Sequence, residues 1–227
     1  ACRAFYAYGF DEPERPDTIP PVIDTMYLNH PAFTDGELVN TSPMLIATLS
    51  DNTGINLSTA GIGRQLTLIL DDRTTYSDVN AYYTPAPDGS PAGTVNYPFD
   101  NIAPGPHTLR LRAFDTAGNP VTRTIAFTVT DDIAPRIFDV YTDANPASTA
   151  ANFYIRHDRP ENLLTVTVTV YDLMGHPVWD STVKGMADMD ISTPVTWDLT
   201  DYSGRRVPRG IYLYRAAIPA DNTRYET

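Results

Sequence analysis

The sequence predicts an all-β protein made of two β-sandwiches in tandem, and three observations favour this fold class. The 20 prolines and 13 glycines are spread along the 227 residues, which is typical of many short strands joined by turns. Strand-like runs alternate apolar and polar residues, the period of a sheet with one wet face. A proline-marked junction occurs twice, as DTIPP at residues 17–21 and DDIAP at residues 131–135, and we interpret the repeat as the start of two successive modules.

The first module is predicted over residues 20–132, after a stiff linker to a preceding domain at residues 1–19. The stretch at residues 11–22 holds four prolines, each of which restricts the residue before it to extended geometry. Strands are expected at residues 43–49, 65–70, 108–114 and 123–130. In the third of these, Leu109, Leu111 and Ala113 face one way while Arg110 and Arg112 face the other, as in a half-buried strand.

The second module is predicted over residues 133–227, with strands at residues 137–141 and 163–173. Near its end, Ile211 and Leu213 alternate with Tyr212 and Tyr214, which indicates a further strand. The residues after Ile218 leave little room for more than a turn. We therefore expect this sandwich to lack its last strand, and either to pair edge to edge through the unpaired backbone groups or to rely on residues beyond Thr227.

Composition excludes several classes of partner. The net charge is −12 and Lys184 is the only lysine, so no basic face for nucleic acid can form. No apolar run reaches about 18 residues, so no direct membrane insertion is expected. Cys2 is the only cysteine, which rules out an internal disulfide; we interpret it as a small buried residue that joins the chain to a preceding domain.

Oxygen-rich turns of the first module could converge on one cation, because loops from distant strands meet at the ends of a sandwich. The metal ligands we select are Asp51, Asp115 and Asn119, and calcium is the expected ion. The wider oxygen-rich set adds Asn52, Asp71 and Asp72. The alternative is that Asp-x-x-Gly and Asp-x-x-Gly-Asn simply close turns, and the residues leave both possibilities open. Because Asp71 and Asp72 are adjacent at a strand end, their side chains point oppositely and cannot both bind one ion without a bulge.

The stretch WDLTDYSG at residues 197–204 is predicted to be a structural turn. Asp198 and Asp201 can accept bonds from nearby backbone N–H groups, and Gly204 can take a positive φ. Trp197 is the expected core anchor. A calcium site is the alternative, but the terminal glutamate of an EF-hand loop is absent.

No residue is predicted to be catalytic. His30, His107, His157 and His176 all lie beside turn signals without a second histidine or cysteine at metal-ligand spacing, so solvated loop histidines are expected. Motifs for nucleophilic serine, phosphate binding, dinucleotide binding and zinc proteolysis are all missing from the sequence. The sequence therefore predicts a chain without enzymatic activity and without a bound organic cofactor.

Two resemblances add to these predictions. Residues 136–218 resemble the FlgD-type immunoglobulin-like module. The residues that carry the match, which we also expect to form its turns and core, are Tyr171, Gly175, Trp197, Asp198, Asp201, Gly204, Gly210 and Tyr212. Residues 20–130 resemble a bacterial immunoglobulin-like repeat through LSDNTGI at residues 49–55 and AFDTAGN at residues 113–119. Both modules are therefore expected to be immunoglobulin-like.

The tandem, with GIGR at residues 61–64 and LILDD at residues 68–72, is similar to the region after the peptidase domain in PorU-like sortases. These are gingipain-type cysteine peptidases of type IX secretion in Bacteroidetes. The resemblance implies a parent peptidase on the surface of a Gram-negative bacterium. It also implies that this tandem docks on surface or outer-membrane partners or orients the peptidase domain. The alternative is a carbohydrate- or calcium-dependent adhesin module, in which Tyr82, Tyr83, Tyr97 and Phe99 would stack on sugars.

Overall fold

The computed structural model describes residues 17–58, 63–131 and 133–219. Cys2 and most of the predicted linker lie outside this range, as do residues 220–227. The described chain is built from strands, and its one helical element is a single 3₁₀ turn at Val79–Tyr82. The prediction of an all-β fold is confirmed.

Nine strands form the first module. They are β1 (Val22–Leu28), β2 (Leu38–Val39), β3 (Met44–Ser50), β4 (Thr67–Leu70), β5 (Thr74–Tyr76), β6 (Tyr83–Pro85), β7 (Ala92–Pro98), β8 (Gly105–Phe114) and β9 (Pro120–Val129). One sheet has the order β1-β3-β7-β6 and the other β2-β9-β8-β4-β5. In the first sheet, β1, β3, β7 and β6 correspond to strands A, B, E and D of an immunoglobulin sandwich. In the second sheet, β9, β8 and β4 correspond to strands G, F and C, and β2 and β5 are short extra strands at its edges.

The predicted alternation explains the core of the first module. Leu109, Leu111 and Ala113 are fully buried on β8, whereas Arg110 and Arg112 on the other face are not. Their buried side chains join one apolar cluster with inward residues of the opposite sheet, such as Leu45 and Leu49.

Six strands form the second module. They are β10 (Ile137–Thr142), β11 (Ala151–His157), β12 (Leu163–Tyr171), β13 (Pro177–Met186), β14 (Val195–Trp197) and β15 (Leu213–Ala217). The sheets have the orders β10-β11-β14 and β13-β12-β15, which correspond to A-B-E and C′-C-F of an immunoglobulin sandwich. Within the described residues β15 pairs with β12 alone. The missing last strand and the edge-to-edge association remain predictions, because they depend on residues 220–227.

The second core is separate from the first. Val166, Val168 and Val170 point inward from β12 and pack with Phe153 and Trp197 in a cluster that shares no residue with the first. Tyr214 lies opposite Val170 in the β12–β15 ladder and its ring lies 4.9 Å from that of Phe153, so it is on the core side of the sheet although it is 42% exposed. Ile211 and Leu213 are exposed.

The prediction of solvated histidines is wrong for His30 and His157. His30, which lies where the modules meet, is 5% exposed, and His157 of the second module is fully buried. The ring of His30 contacts Phe138 of the second module edge-on at 5.5 Å. The side chain of Asn40 donates a hydrogen bond to Asn162 at 3.5 Å across the same junction.

Among the described residues no helix is long and apolar enough to cross a membrane.

Candidate metal centre

Three carboxylates meet at one end of the first sandwich. Asp17, Asp51 and Asp115 each place one ligand oxygen within 4.8 Å of the other two. Asp51 follows β3, Asp115 follows β8 and Asp17 precedes β1. The sandwich topology thus brings together two of the three predicted ligands and adds a third carboxylate.

Asp115 is the buried member of the group, with none of its surface exposed. One carboxylate oxygen accepts hydrogen bonds from the backbone N–H groups of Gly118, at 2.5 Å, and Asn119, at 2.7 Å. The other accepts from the Asn119 side-chain amide at 2.6 Å. These bonds fix the carboxylate and offset the cost of burying its charge.

Asp51 carries an oxygen with unused bonding capacity. Its Oδ2 accepts bonds from the backbone N–H groups of Thr53, at 2.7 Å, and Gly54, at 2.9 Å. Its Oδ1 is shielded from solvent and has no hydrogen-bond partner within the part of the chain that the structure describes. Such an orphaned acceptor is costly unless a cation or a water binds it.

Asp17 completes the group from the start of the described chain. Its carboxylate accepts a bond from the backbone N–H of Ile19 at 3.0 Å, and this bond is the main cause that lowers its pKa. Its other oxygen accepts from the side chains of Asn52 and Thr53, each at 3.1 Å. Asp17 is therefore held as an anion beside the other two carboxylates.

The spacing of the three oxygens suits calcium. Calcium binds oxygen at about 2.3–2.6 Å, so two of its ligands can lie up to roughly 5 Å apart. Magnesium binds at about 2.0–2.1 Å and requires a tighter group. No arginine or lysine among the described residues lies within ion-pair distance of the three carboxylates. The site therefore holds three carboxylate oxygens within 4.8 Å of one another, which is compatible with calcium.

Asn119 contacts this group through its side-chain nitrogen, which donates to Asp115 at 2.6 Å and to the backbone carbonyl of Asp17 at 3.1 Å. An asparagine binds a cation through its amide oxygen, which takes no part in these bonds. The role of Asn119 as a calcium ligand therefore stays a prediction.

The other oxygen-rich residues of the first module do not join the site as ligands. Asp71 accepts bonds from the His107 ring at 2.7 Å and from the Thr108 N–H at 2.9 Å. Asp72 forms an ion pair with Arg110. Both aspartates have positive φ angles and close the β4–β5 turn, which is the alternative that the sequence left open for them.

The WDLTDYSG stretch has the geometry of a tight turn. One oxygen of Asp201 accepts bonds from the backbone N–H groups of Ser203, at 2.8 Å, and Arg205, at 3.1 Å. Asp198 accepts from the N–H of Thr200 at 3.1 Å. Gly204 has a φ of 76°, which costs glycine nothing. The pKa values of both aspartates are lowered, chiefly by hydrogen bonds from Ser203 and Thr200.

The remaining motif residues of the second module are Trp197, Gly210, Tyr212, Tyr171 and Gly175. Trp197 is 4% exposed and its indole N–H donates to the Thr200 carbonyl at 2.8 Å. The ring of Tyr212, which follows Gly210, lies 5.6 Å from that of Trp197. Tyr171 ends β12, just before the turn in which Gly175 has a φ of 83°.

The aromatic residues considered for sugar stacking are mostly core residues. Tyr97 and Phe99 are 7% and 4% exposed and their rings lie 5.1 Å apart. Burial is the main cause that raises the pKa of the Tyr97 phenol, and Asp78 adds to it. These two rings have no free face for a sugar, so this part of the adhesin hypothesis is wrong.

Comparison with known proteins places the chain beside one region of a larger protein. No protein-family model and no curated protein sequence matches it. The solved structure of dimeric latent PorU from Porphyromonas gingivalis is similar, with 33% identity over 91% of this chain and a TM-score of 0.52. The match covers 19% of the PorU chain, so this chain spans about a fifth of that protein. At this identity the chain is related to one immunoglobulin-like region of PorU.

Two other structures are more distant. The fibronectin(III)-like modules of Clostridium thermocellum CbhA have 13% identity and a TM-score of 0.31, and cover 76% of this chain and 91% of theirs. The FN1–FN3 domains of chicken CNTN1 have 12% identity and a TM-score of 0.27, and cover 90% of this chain and 62% of theirs. These TM-scores are too low to support a conclusion.

Proposed function

We propose that this chain is a non-catalytic immunoglobulin-like tandem of a PorU-like secreted cysteine peptidase. The observation that carries the proposal is the 33% identity with one region of PorU over 91% of the chain. The match covers only 19% of that protein, so its other regions hold most of the molecule. The tandem would then orient a peptidase domain, or dock it on outer-membrane or surface partners of type IX secretion in a Gram-negative bacterium.

Two measurements on the purified chain test this proposal. Incubation with fluorogenic peptide substrates should give no turnover above buffer. A PorU variant from Porphyromonas gingivalis that lacks the matching region should bind the chain in trans and gain thermal stability, because ligands of the folded state raise the melting temperature. Peptide hydrolysis by the chain alone, or no binding to the truncated PorU at micromolar concentrations, would contradict the proposal.

We propose as a second, compatible function that the first module binds calcium through Asp17, Asp51 and Asp115. The convergence of three carboxylates and the orphaned oxygen of Asp51 support it. Extracellular modules bind calcium with dissociation constants of about 10⁻⁴–10⁻³ M, and we expect this range here. Calcium would then hold the start of the first module against its two turns.

Isothermal titration calorimetry of the whole chain with calcium chloride tests this site. Asp51→Asn and Asp115→Asn should abolish binding, because each removes a negative ligand without changing its shape. The matched control is Asp201→Asn, an aspartate in a similar turn of the second module, which should leave binding unchanged. Absence of calcium binding at millimolar concentrations, or its loss in the control variant, would disprove the site.

A further inference from the structure

A cavity of about 400 Å³ lies between the two modules. Its volume is within the range of about 300–1,000 Å³ that is usual for small-molecule sites, and such sites are common at domain interfaces. Tyr27, His30 and Ile46 form its wall in the first module, and Phe138, Arg156 and Asp190 form much of its wall in the second. A ligand here would therefore contact both modules at once.

The cavity wall includes a buried polar atom without a partner. His30 is 5% exposed and its Nε2 lies 3.2 Å from a carboxylate oxygen of Glu37. Its Nδ1 has no hydrogen-bond partner within the described residues. With Nε2–H donating to Glu37, Nδ1 is an acceptor, and because it is shielded from solvent, a ligand in the cavity does not reach it.

Further polar groups around the cavity have spare bonding capacity. Arg156 donates to one oxygen of Asp190 from both Nε, at 2.9 Å, and Nη2, at 2.6 Å, which leaves Nη1 and the second carboxylate oxygen available within the described residues. The Tyr27 hydroxyl makes no hydrogen bond within the described chain. Tyr27 and Asp190 both line the cavity, and burial, with the negative charge of Asp190 adding to it, raises the pKa of Tyr27.

The charges at the cavity cancel. Arg156 and Asp190 form an ion pair, so the wall offers hydrogen-bond donors and acceptors with no net charge between the two groups. An anionic ligand would meet the Asp190 carboxylate and a cationic one the Arg156 guanidinium, so the pair favours neither charge. The electrostatics therefore favour a neutral ligand that is rich in hydroxyl groups.

Aromatic and apolar surfaces supply the rest of the wall. Phe138 is 42% exposed, with its ring edge-on to His30 at 5.5 Å. The guanidinium of Arg136 lies 5.5 Å from the centre of the same ring. Tyr27 and Ile46 provide the facing apolar surface. Flat aromatic faces next to hydrogen-bonding groups suit a ring that is apolar on its faces and polar on its rim.

We propose that the cavity between the modules is a binding site for a neutral saccharide unit of pyranose size. The CH face of the sugar lies against Phe138 and Tyr27. Its hydroxyls bond to Arg156, to Asp190 and to the Tyr27 hydroxyl. Because these groups belong to both modules, binding also stiffens the junction.

Backbone-amide NMR titration of the whole chain tests the proposal. The probes are D-glucose, D-galactose, D-mannose and N-acetyl-D-glucosamine, with D-glucuronate as the charged comparison. At least one neutral sugar should shift the amide signals of residues 27–30, 138 and 189–190. Phe138→Ala should weaken that sugar about tenfold, which is about 1.4 kcal/mol.

Two further variants separate binding from folding. Tyr27→Phe keeps the ring and removes only the hydroxyl, so it should fold normally and weaken the sugar several-fold. Tyr202→Ala is the matched control for Phe138→Ala, because Tyr202 is an exposed aromatic residue of the same module that does not line the cavity; it should leave the affinity unchanged.

Several results would overturn the proposal. They are an absence of shifts with all four neutral sugars, shifts that map to the surface around Tyr82 instead, or equal binding of glucuronate. Binding of a proline-rich peptide at the same amides while the sugars are inert would reassign the cavity to a protein partner.

Discussion

A leucine-to-alanine substitution in each core tests whether the two modules fold independently. Leu111 on β8 is fully buried in the first cluster, and Leu164 on β12, 6% exposed, belongs to the second. Loss of a buried leucine side chain costs about 2–5 kcal/mol, the larger values being for sites that cannot collapse around the cavity. Leu111 is paired on both sides, with Leu68 and Arg123, and Leu164 is paired with Gly185 of β13; about 3 kcal/mol is expected at each.

The two tryptophans make the assay specific for one module. Trp179 and Trp197 both lie in the second module, so tryptophan fluorescence reports on its unfolding alone, whereas calorimetry reports on both. For a domain of about 100 residues, 1 kcal/mol shifts the melting temperature by about 4 °C. Leu111→Ala should therefore lower one calorimetric transition by about 12 °C and lower the fluorescence transition by clearly less. Leu164→Ala should lower the fluorescence transition by about 12 °C.

The contacts between the modules limit how strongly the unfolding of one module can affect the other. The described contacts across the junction include the Asn40–Asn162 hydrogen bond and the ring contact of His30 with Phe138, which together are worth about 1–2 kcal/mol. Coupling of that size moves the second transition by about 4–8 °C, which is less than the 12 °C expected for the mutated module. If Leu111→Ala lowered the fluorescence transition as much as the calorimetric one, the two cores would be one cooperative unit and the division into modules would be wrong.

Three further predictions concern the second module. Burial lowers the pKa of His157 to about 4, against the opposing charges of Asp158 and Asp190. In the unfolded chain the same histidine binds its proton near pH 6.5. The second module therefore loses free energy of unfolding as the pH falls from about 6.5 towards 4. We expect His157→Gln to reduce this fall in the free energy of unfolding by about 1–3 kcal/mol, measured by urea unfolding with tryptophan fluorescence. A pH dependence equal to that of the wild type would refute the assignment. A Cβ on Gly185 would lie 2.2 Å from Thr193 Oγ1, so Gly185→Ala should cost about 1–3 kcal/mol in the same assay; a wild-type melting curve would show that the strand yields freely. Asp201→Ala should cost about 1 kcal/mol through the lost turn bonds, equally with and without calcium, and a calcium-dependent difference in thermal melts would point to a metal site there.

The strands could be predicted because their signal is local. On β8 and β12 the side chains alternate with a period of two, and the inward residues are the apolar ones in both strands. Turn signals at regular spacing then limit the strands to short lengths and favour a sandwich. The order of strands within each sheet is that of an immunoglobulin sandwich, so it follows once that fold is expected for each module.

The buried histidines and the aromatic core could not be predicted because their burial depends on residues far away in sequence. His30 lies beside turn signals, as a solvated residue would, and is covered only because Phe138 of the second module packs against it. Tyr97 faces the core because its register places it opposite Leu45 on β3. A one-residue change of register would have placed it on the solvent face.

The metal centre shows the same division between local and distant information. Four turns share the pattern Asp-x-x-Gly, a carboxylate that accepts a backbone N–H within the turn, and a glycine with positive φ; their aspartates are Asp51, Asp115, Asp172 and Asp201. Local chemistry therefore cannot separate a simple turn from a candidate ligand. What distinguishes the first two is that their turns bond to each other, through the Thr116 N–H and the Gly54 carbonyl at 3.1 Å. Asp17 then joins them from a position 102 residues before Asn119, which donates to its carbonyl. A candidate site arises here from the pairing of two turns that are each ordinary, so sequence motifs alone nominate its members and only the sandwich selects among them.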